Sequence, residues 1–174
     1  ANGDGANDNE QRLAAVLGSG EFIDVARSVA DRVYGKIVAC HPGARTVVDQ
    51  TAENLDFASL ILELYPDSYF LHVVRDPRAV YASWRKAIAG WATGNAFFDN
   101  PAKMAEHWCV SEAAGRKLAS MTDRYVHVRY EDLLAGGADE LARLYEWSGL
   151  SADAAQCEQA YAACSICLLY TSPS

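Results

Sequence analysis

Apolar positions along the chain change period several times, and each change marks an element. Residues 21–34 carry apolar side chains at helical spacing (Phe22, Ile23, Ala26, Val29, Ala30, Val33), and 11–17 do the same over a shorter stretch, so both are expected to be helices. His41-Pro-Gly-Ala44 reads as a turn, and Thr46-Val-Val-Asp49 as a short strand ending on an acid. Leu55, Ala58, Leu60, Ile61, Leu62 and Leu64 make one helical face, with Asn54 or Asp56 as its cap. Tyr65-Pro-Asp-Ser68 ends that helix. The next run, 69–74, is nearly all apolar, which suits a strand covered on both faces of a parallel sheet.

Asp76-Pro77 then starts a helix, a capping carboxylate followed by proline at the first helical position. Its stripe of Val80, Trp84, Ala87, Ile88 and Trp91 is expected to pack on the sheet, beside a stripe of smaller residues that includes Ser83. Residues 90–100 read as a loop, Pro101 opens a long helix to about Met121, and 124–129 (RYVHVR) alternate as a further strand. A helix is expected over 138–147, stopped at Gly149, and Ser151 is expected to cap another. Strands alternating with helices give an α/β order.

The chemistry gathers where the 69–74 strand ends. Arg75 leaves the strand at the rim where open parallel sheets bind ligands, and the helix starting at Pro77 presents its N-terminus there. Its guanidinium can fork onto phosphate oxygens, and the Ser83 hydroxyl can donate to the same group. The alternative is an Arg75 paired with Asp76 or Asp49, and a Ser83 that only packs. Tyr130 follows a strand expected to run parallel to the first, so its ring reaches the same rim and can pack on a nucleotide; alternatively it is a buried ring closing the sheet. Glu131 and Asp132 supply negative charge to the next helix N-terminus. His41 and His107 lack a recognisable nucleophile partner, and His72 and His127, inside strands, are expected to be hydrogen-bonded core or rim imidazoles.

Bulk properties narrow the function. The chain has 174 residues, 51% hydrophobic and 22% charged, enough for one domain with a core. Lys and Arg number 15 against 23 Asp and Glu, a net charge of -8, which argues against a sequence-indifferent nucleic-acid binder but not against a small anionic ligand. No apolar stretch approaches about 20 residues, so no transmembrane span is expected, and a cytoplasmic location follows as the reading. Five cysteines are scattered; Cys164-Ser-Ile-Cys167 has metal or redox spacing but no second pair, and no metal site is expected. Residues 1–10 are expected to be disordered. The tail, CLLYTSPS over 167–174, resembles read-through of a sequencing-library adapter rather than native sequence. The domain is thus expected over 11–166, cut at its ends.

VVRDPRAVYASW, preceded by VVDQTAENLDFASLILELYPDSYFLH and followed by VRYEDLLAG, resembles the sulfotransferase superfamily, in particular the bacterial group similar to tyrosylprotein sulfotransferases. The resemblance implies a P-loop-type parallel sheet flanked by helices, here lacking its N-terminal strand and phosphosulfate loop. It implies 3′-phosphoadenosine-5′-phosphosulfate as donor and co-substrate, a sulfuryl acceptor bearing a hydroxyl or amine (small molecule, glycan or peptide), and no metal. It implies that Arg75 and Ser83 hold the donor's 3′-phosphate and that Tyr130 contacts the nucleotide. Where many relatives have Asp-Lys-Thr-Pro, this chain has Asp49-Gln50-Thr51-Ala52. The catalytic base is unassigned. Two rival readings remain at this point: a P-loop nucleoside or nucleotide kinase, and a non-catalytic nucleotide-binding remnant.

Overall fold

The computed structural model describes residues 18–89 and 100–164. The segments expected at 1–10 and 11–17, most of the 90–100 loop with Trp91, and the tail at 167–174 lie outside the described residues. Two compact units divide at Ser68 and Tyr69.

In the first unit, α1 (Ser19–Ala39) starts where the Glu21 carboxylate reaches back to the Gly18 N–H, and it begins two residues before and ends five after the stretch its apolar pattern predicted. Ile23 is buried on its inner face, but Val29 and Val33 join Val25 and Ile37 on an exposed stripe. The predicted helix around 55–64 is two pieces, a 3-10 turn (Ala52–Leu55) and α2 (Ala58–Leu64). Neither Asn54 nor Asp56 caps α2. Phe57 occupies that position with no side-chain hydrogen bond, and the Asn54 amide donates instead to the Asp49 carbonyl at 3.5 Å. Arg27 closes the other end of α2, donating from Nε to Leu64 O at 2.9 Å and from Nη2 to Glu63 O at 3.1 Å, where the helix dipole favours a cation.

Residues 46–49 form no strand. A strand persists only where a neighbour pairs its backbone, and the sheet among the described residues consists of two other segments. Asp49 folds locally instead: its carboxylate accepts from the Thr51 N–H at 2.9 Å and from the Tyr34 hydroxyl at 3.3 Å. These hydrogen bonds, led by that from Thr51, hold its carboxyl down at about 2.

The second unit is built on β1 (Phe70–Val74) and β2 (Tyr125–Arg129), paired in parallel with Phe70 opposite Tyr125 and Val74 opposite Arg129. Parallel neighbours need a crossover, supplied here by α3 (Pro77–Ala89) and α4 (Pro101–Ala119). The Asn100 side chain caps α4, accepting from the N–H groups of Ala102 and Lys103 at 2.9 and 3.2 Å, just before the predicted Pro101 start. α5 (Tyr130–Trp147) follows β2 without a loop and breaks at Gly137, whose φ of 59° only glycine adopts readily. The half beyond the break is the helix read from sequence; the half from Tyr130 is new. Gly149, at φ 71°, stops it as expected. α6 (Ala154–Cys164) is capped by Asp153 rather than Ser151: Asp153 Oδ1 accepts from the Gln156 N–H at 2.7 Å, and Gln156 Oε1 accepts from the Asp153 N–H at 2.9 Å.

The core of this unit contains Met104, Leu118, Val128, Leu144 and the free thiol of Cys157. α4 covers one face of the sheet so closely that a Cβ at Gly115 would strike His72 Nδ1 and lie 2.8 Å from the Tyr125 hydroxyl. On the opposite face Val128 is buried, but Leu71 and Val73 stay 50% and 46% exposed, so β1 is not covered on both sides as its apolar run suggested. Composition of a strand reports what it could bury; the neighbours decide what it does bury. No helix among the described residues is long and apolar enough to cross a membrane.

Candidate anion-binding site at the strand ends

Both strands finish at the same rim. Because Val74 sits opposite Arg129, the next residues on each chain segment, Arg75 and Tyr130, emerge side by side. The Arg75 guanidinium lies over the Tyr130 ring, 4.8 Å from its centroid, in cation–π geometry. Tyr130 is half-buried and Arg75 exposed, so the pair is anchored on the ring side and open on the other.

The backbone under Arg75 is held from two directions. The Trp108 indole, from α4, donates to the Arg75 carbonyl at 3.0 Å. The Asp76 N–H donates to Glu131 Oε1 at 2.9 Å, linking the β1 exit to the first turn of α5. That N–H holds the Glu131 carboxyl below its ordinary value, with a lesser contribution from the Arg129 cation, whose Nε is 3.9 Å from Oε2. Glu131 Oε2 is buried without a hydrogen bond, so the ion pair at that longer distance is its compensation.

Asp76 caps α3 as its sequence position suggested, accepting from the Arg78 N–H at 2.8 Å. Arg78 also folds back on it, with Nε donating to Oδ1 at 3.0 Å, and this pairing holds the Asp76 carboxyl well below the carboxylate range. The pairing of Arg75 with Asp76, weighed as an alternative from sequence, is thus taken by Arg78. Among the described residues no ion pair engages the Arg75 guanidinium. A cation whose neighbouring carboxylates are already satisfied, set beside an aromatic face and a helix N-terminus, is suited to take an external anion attached to a flat group.

Ser83 lies exposed in α3, eight residues after Arg75, with no hydrogen bond joining it to Arg75 or to any other described residue. The structure therefore brings two of the three sequence candidates into contact and leaves the third on the neighbouring helix. Sequence reading gave Glu131 only the role of charge at a helix N-terminus and assigned no contact to Trp108. The signal for both was weak, because their partners are backbone atoms that carry no sequence signature.

Residues 6–154 match the profile of the Sulfotransferase family. The chain belongs to the sulfotransferase family. The match takes in α1 and the first unit, well upstream of the Thr46 start of the motif resemblance. Among curated sulfotransferases, the omega-hydroxy-beta-dihydromenaquinone-9 sulfotransferases Stf3 of Mycobacterium bovis and Mycobacterium tuberculosis are each 30% identical to it over 114 residues, covering 61% of this chain. The chain spans 29% of the length of these two relatives. No solved structure gives a significant match.

Proposed function

We propose that the protein to which this sequence belongs transfers a sulfuryl group from 3′-phosphoadenosine-5′-phosphosulfate to a hydroxyl or amine acceptor, on a P-loop-type α/β fold. The observation that carries the reading is the Arg75 guanidinium, without an ion-pair partner among the described residues, seated on the Tyr130 ring at the carboxyl end of two parallel strands. Arg75, joined by Ser83 from α3, recognises the 3′-phosphate. Tyr130 packs against the nucleoside and keeps the guanidinium in place. Trp108 and Glu131 hold the backbone so that neither group must be ordered when the donor binds, which lowers the entropic cost of binding.

In the reaction the acceptor oxygen or nitrogen attacks sulfur in line. The sulfur–oxygen bond to the donor's phosphate breaks, 3′-phosphoadenosine 5′-phosphate leaves with the electron pair, and a base takes the acceptor proton. No group in the described residues is assigned as that base. The displacement itself needs no metal. The two mycobacterial relatives are named for a hydroxylated dihydromenaquinone, which supports a hydroxyl over an amine as acceptor.

Isothermal calorimetry with 3′-phosphoadenosine 5′-phosphate and, separately, with ATP tests the reading. Saturable binding of the first, tighter than ATP, is expected. Preference for ATP with Mg²⁺ would favour a kinase, and binding of neither would leave a non-catalytic remnant.

A further inference from the structure

On the α4-covered face of the sheet, the parallel register places His72 directly opposite His127. Their rings stand perpendicular, 5.5 Å between centroids. Glu112 of α4 reaches over them, with Oε1 3.4 Å from His127 Nε2. One ligand-type atom from each of His72, Glu112 and His127 lies within 4.8 Å of the others. We propose that these three residues bind a divalent transition-metal ion of the Zn²⁺ class, at a site separate from the donor-binding rim.

The geometry fits such an ion after a small closure. With metal–ligand bonds of roughly 2.0–2.2 Å, tetrahedral ligands sit about 3.3 Å apart. His127 and Glu112 already have that spacing, and the gap to His72 closes by at most about 1.5 Å. Glu112 is mostly buried, and its other oxygen, Oε2, is 3.9 Å from Arg116 Nη1, which leaves Oε1 for the ion. The Tyr125 hydroxyl is 2.8 Å from His72 Nδ1, the kind of contact that fixes the tautomer and orientation of a ligating imidazole. Gly115 lacks the Cβ that would strike His72 and Tyr125, which makes room for both rings under α4.

Two imidazoles and one carboxylate suit zinc, cobalt and nickel better than magnesium or calcium, which prefer all-oxygen sets. Three protein ligands leave a fourth position for water, and the His127 side chain is 41% exposed, so solvent reaches the cluster.

The test is optical titration of the chain with Co²⁺, followed by Zn²⁺ displacement, in a Cys40→Ser, Cys109→Ser, Cys164→Ser, Cys167→Ser background that leaves only the buried Cys157 thiol. One Co²⁺ per chain is expected, with the visible bands of a tetrahedral centre, lost on adding Zn²⁺. His127→Ala and Glu112→Gln, each checked for an unchanged unfolding midpoint, should weaken binding by about tenfold or more. Absence of the bands in the parent, or bands of equal affinity in both variants, overturns the proposal. The readout does not involve the donor nucleotide, so it stands or falls apart from the sulfotransferase reading.

Discussion

Arg75→Ala is the sharpest perturbation of the donor site, because the side chain contributes to binding without supporting the fold. It is exposed and has no ion pair among the described residues, and its contact with Tyr130 is a cation–π approach at 4.8 Å. Removing such a group changes folding stability by about 0.5 kcal/mol or less. Its loss from a phosphate complex is larger. A hydrogen bond to a charged group contributes about 1.5–3 kcal/mol net, and each 1.4 kcal/mol is about tenfold in affinity. Exposure to solvent and salt screens part of that, since the Debye length is about 8 Å at physiological ionic strength. The dissociation constant for 3′-phosphoadenosine 5′-phosphate should therefore rise roughly tenfold to a hundredfold. Arg75→Lys, which keeps the charge and loses the planar fork, should fall between the parent and the alanine variant. Calorimetry gives the affinities, and thermal unfolding of the same samples confirms that the fold is intact. An Arg75→Ala chain that binds within about twofold of the parent, at an unchanged unfolding midpoint, would refute the assignment of Arg75 to the phosphate.

Further outcomes follow from other parts of the molecule. Glu131→Ala frees the Asp76 N–H and should both lower the unfolding midpoint and weaken donor binding, whereas Glu131→Gln, which keeps an acceptor oxygen, should do less of each; equal behaviour of the two would show that the clamp at 2.9 Å is immaterial. Leu118→Ala, at a side chain 2% exposed, should cost about 2–5 kcal/mol in chemical denaturation, and a loss under about 1 kcal/mol would mean that α4 is not packed as described. Gly115→Ala should destabilise by about 1–3 kcal/mol despite alanine's better helix propensity, read by calorimetric unfolding, because the new methyl meets two packed rings. The Asp49 carboxyl has its folded pKa below the unfolded one, so its contribution is complete above the ordinary value of 3.8 and fades as pH falls towards about 2; a carboxyl NMR titration with a midpoint near 3.8 would contradict the Thr51 and Tyr34 hydrogen bonds.

Where sequence reading succeeded, the determinants were near one another in the chain. The Asp76-Pro77 start of α3 is legible because a cap and its N–H are two residues apart. The α4 helix, the 125–129 strand and the Gly149 stop follow from period and backbone preference alone. Arg75 and Tyr130 were legible as candidates because each sits one residue past a strand. The misses share a cause as well. Residues 46–49 have a strand's composition but no partner, Ser151 lost to an Asp153 that could exchange hydrogen bonds with Gln156, and Leu71 and Val73 are apolar yet open. In each case the neighbours, present or missing, outweighed the intrinsic preference.

Sequence by itself determined most of the helices and both paired strands, where the cation and the aromatic ring stand relative to those strands, and the family likeness carried by Arg75, Ser83 and Tyr130. Only tertiary structure decided the register of β1 on β2. That register sets Arg75 against Tyr130 at the rim and His72 against His127 within the sheet. Two strands separated by a long crossover share no local signal. Their alignment is fixed by backbone hydrogen bonds and by the helices packed over them, and these interactions exist only once the chain has folded.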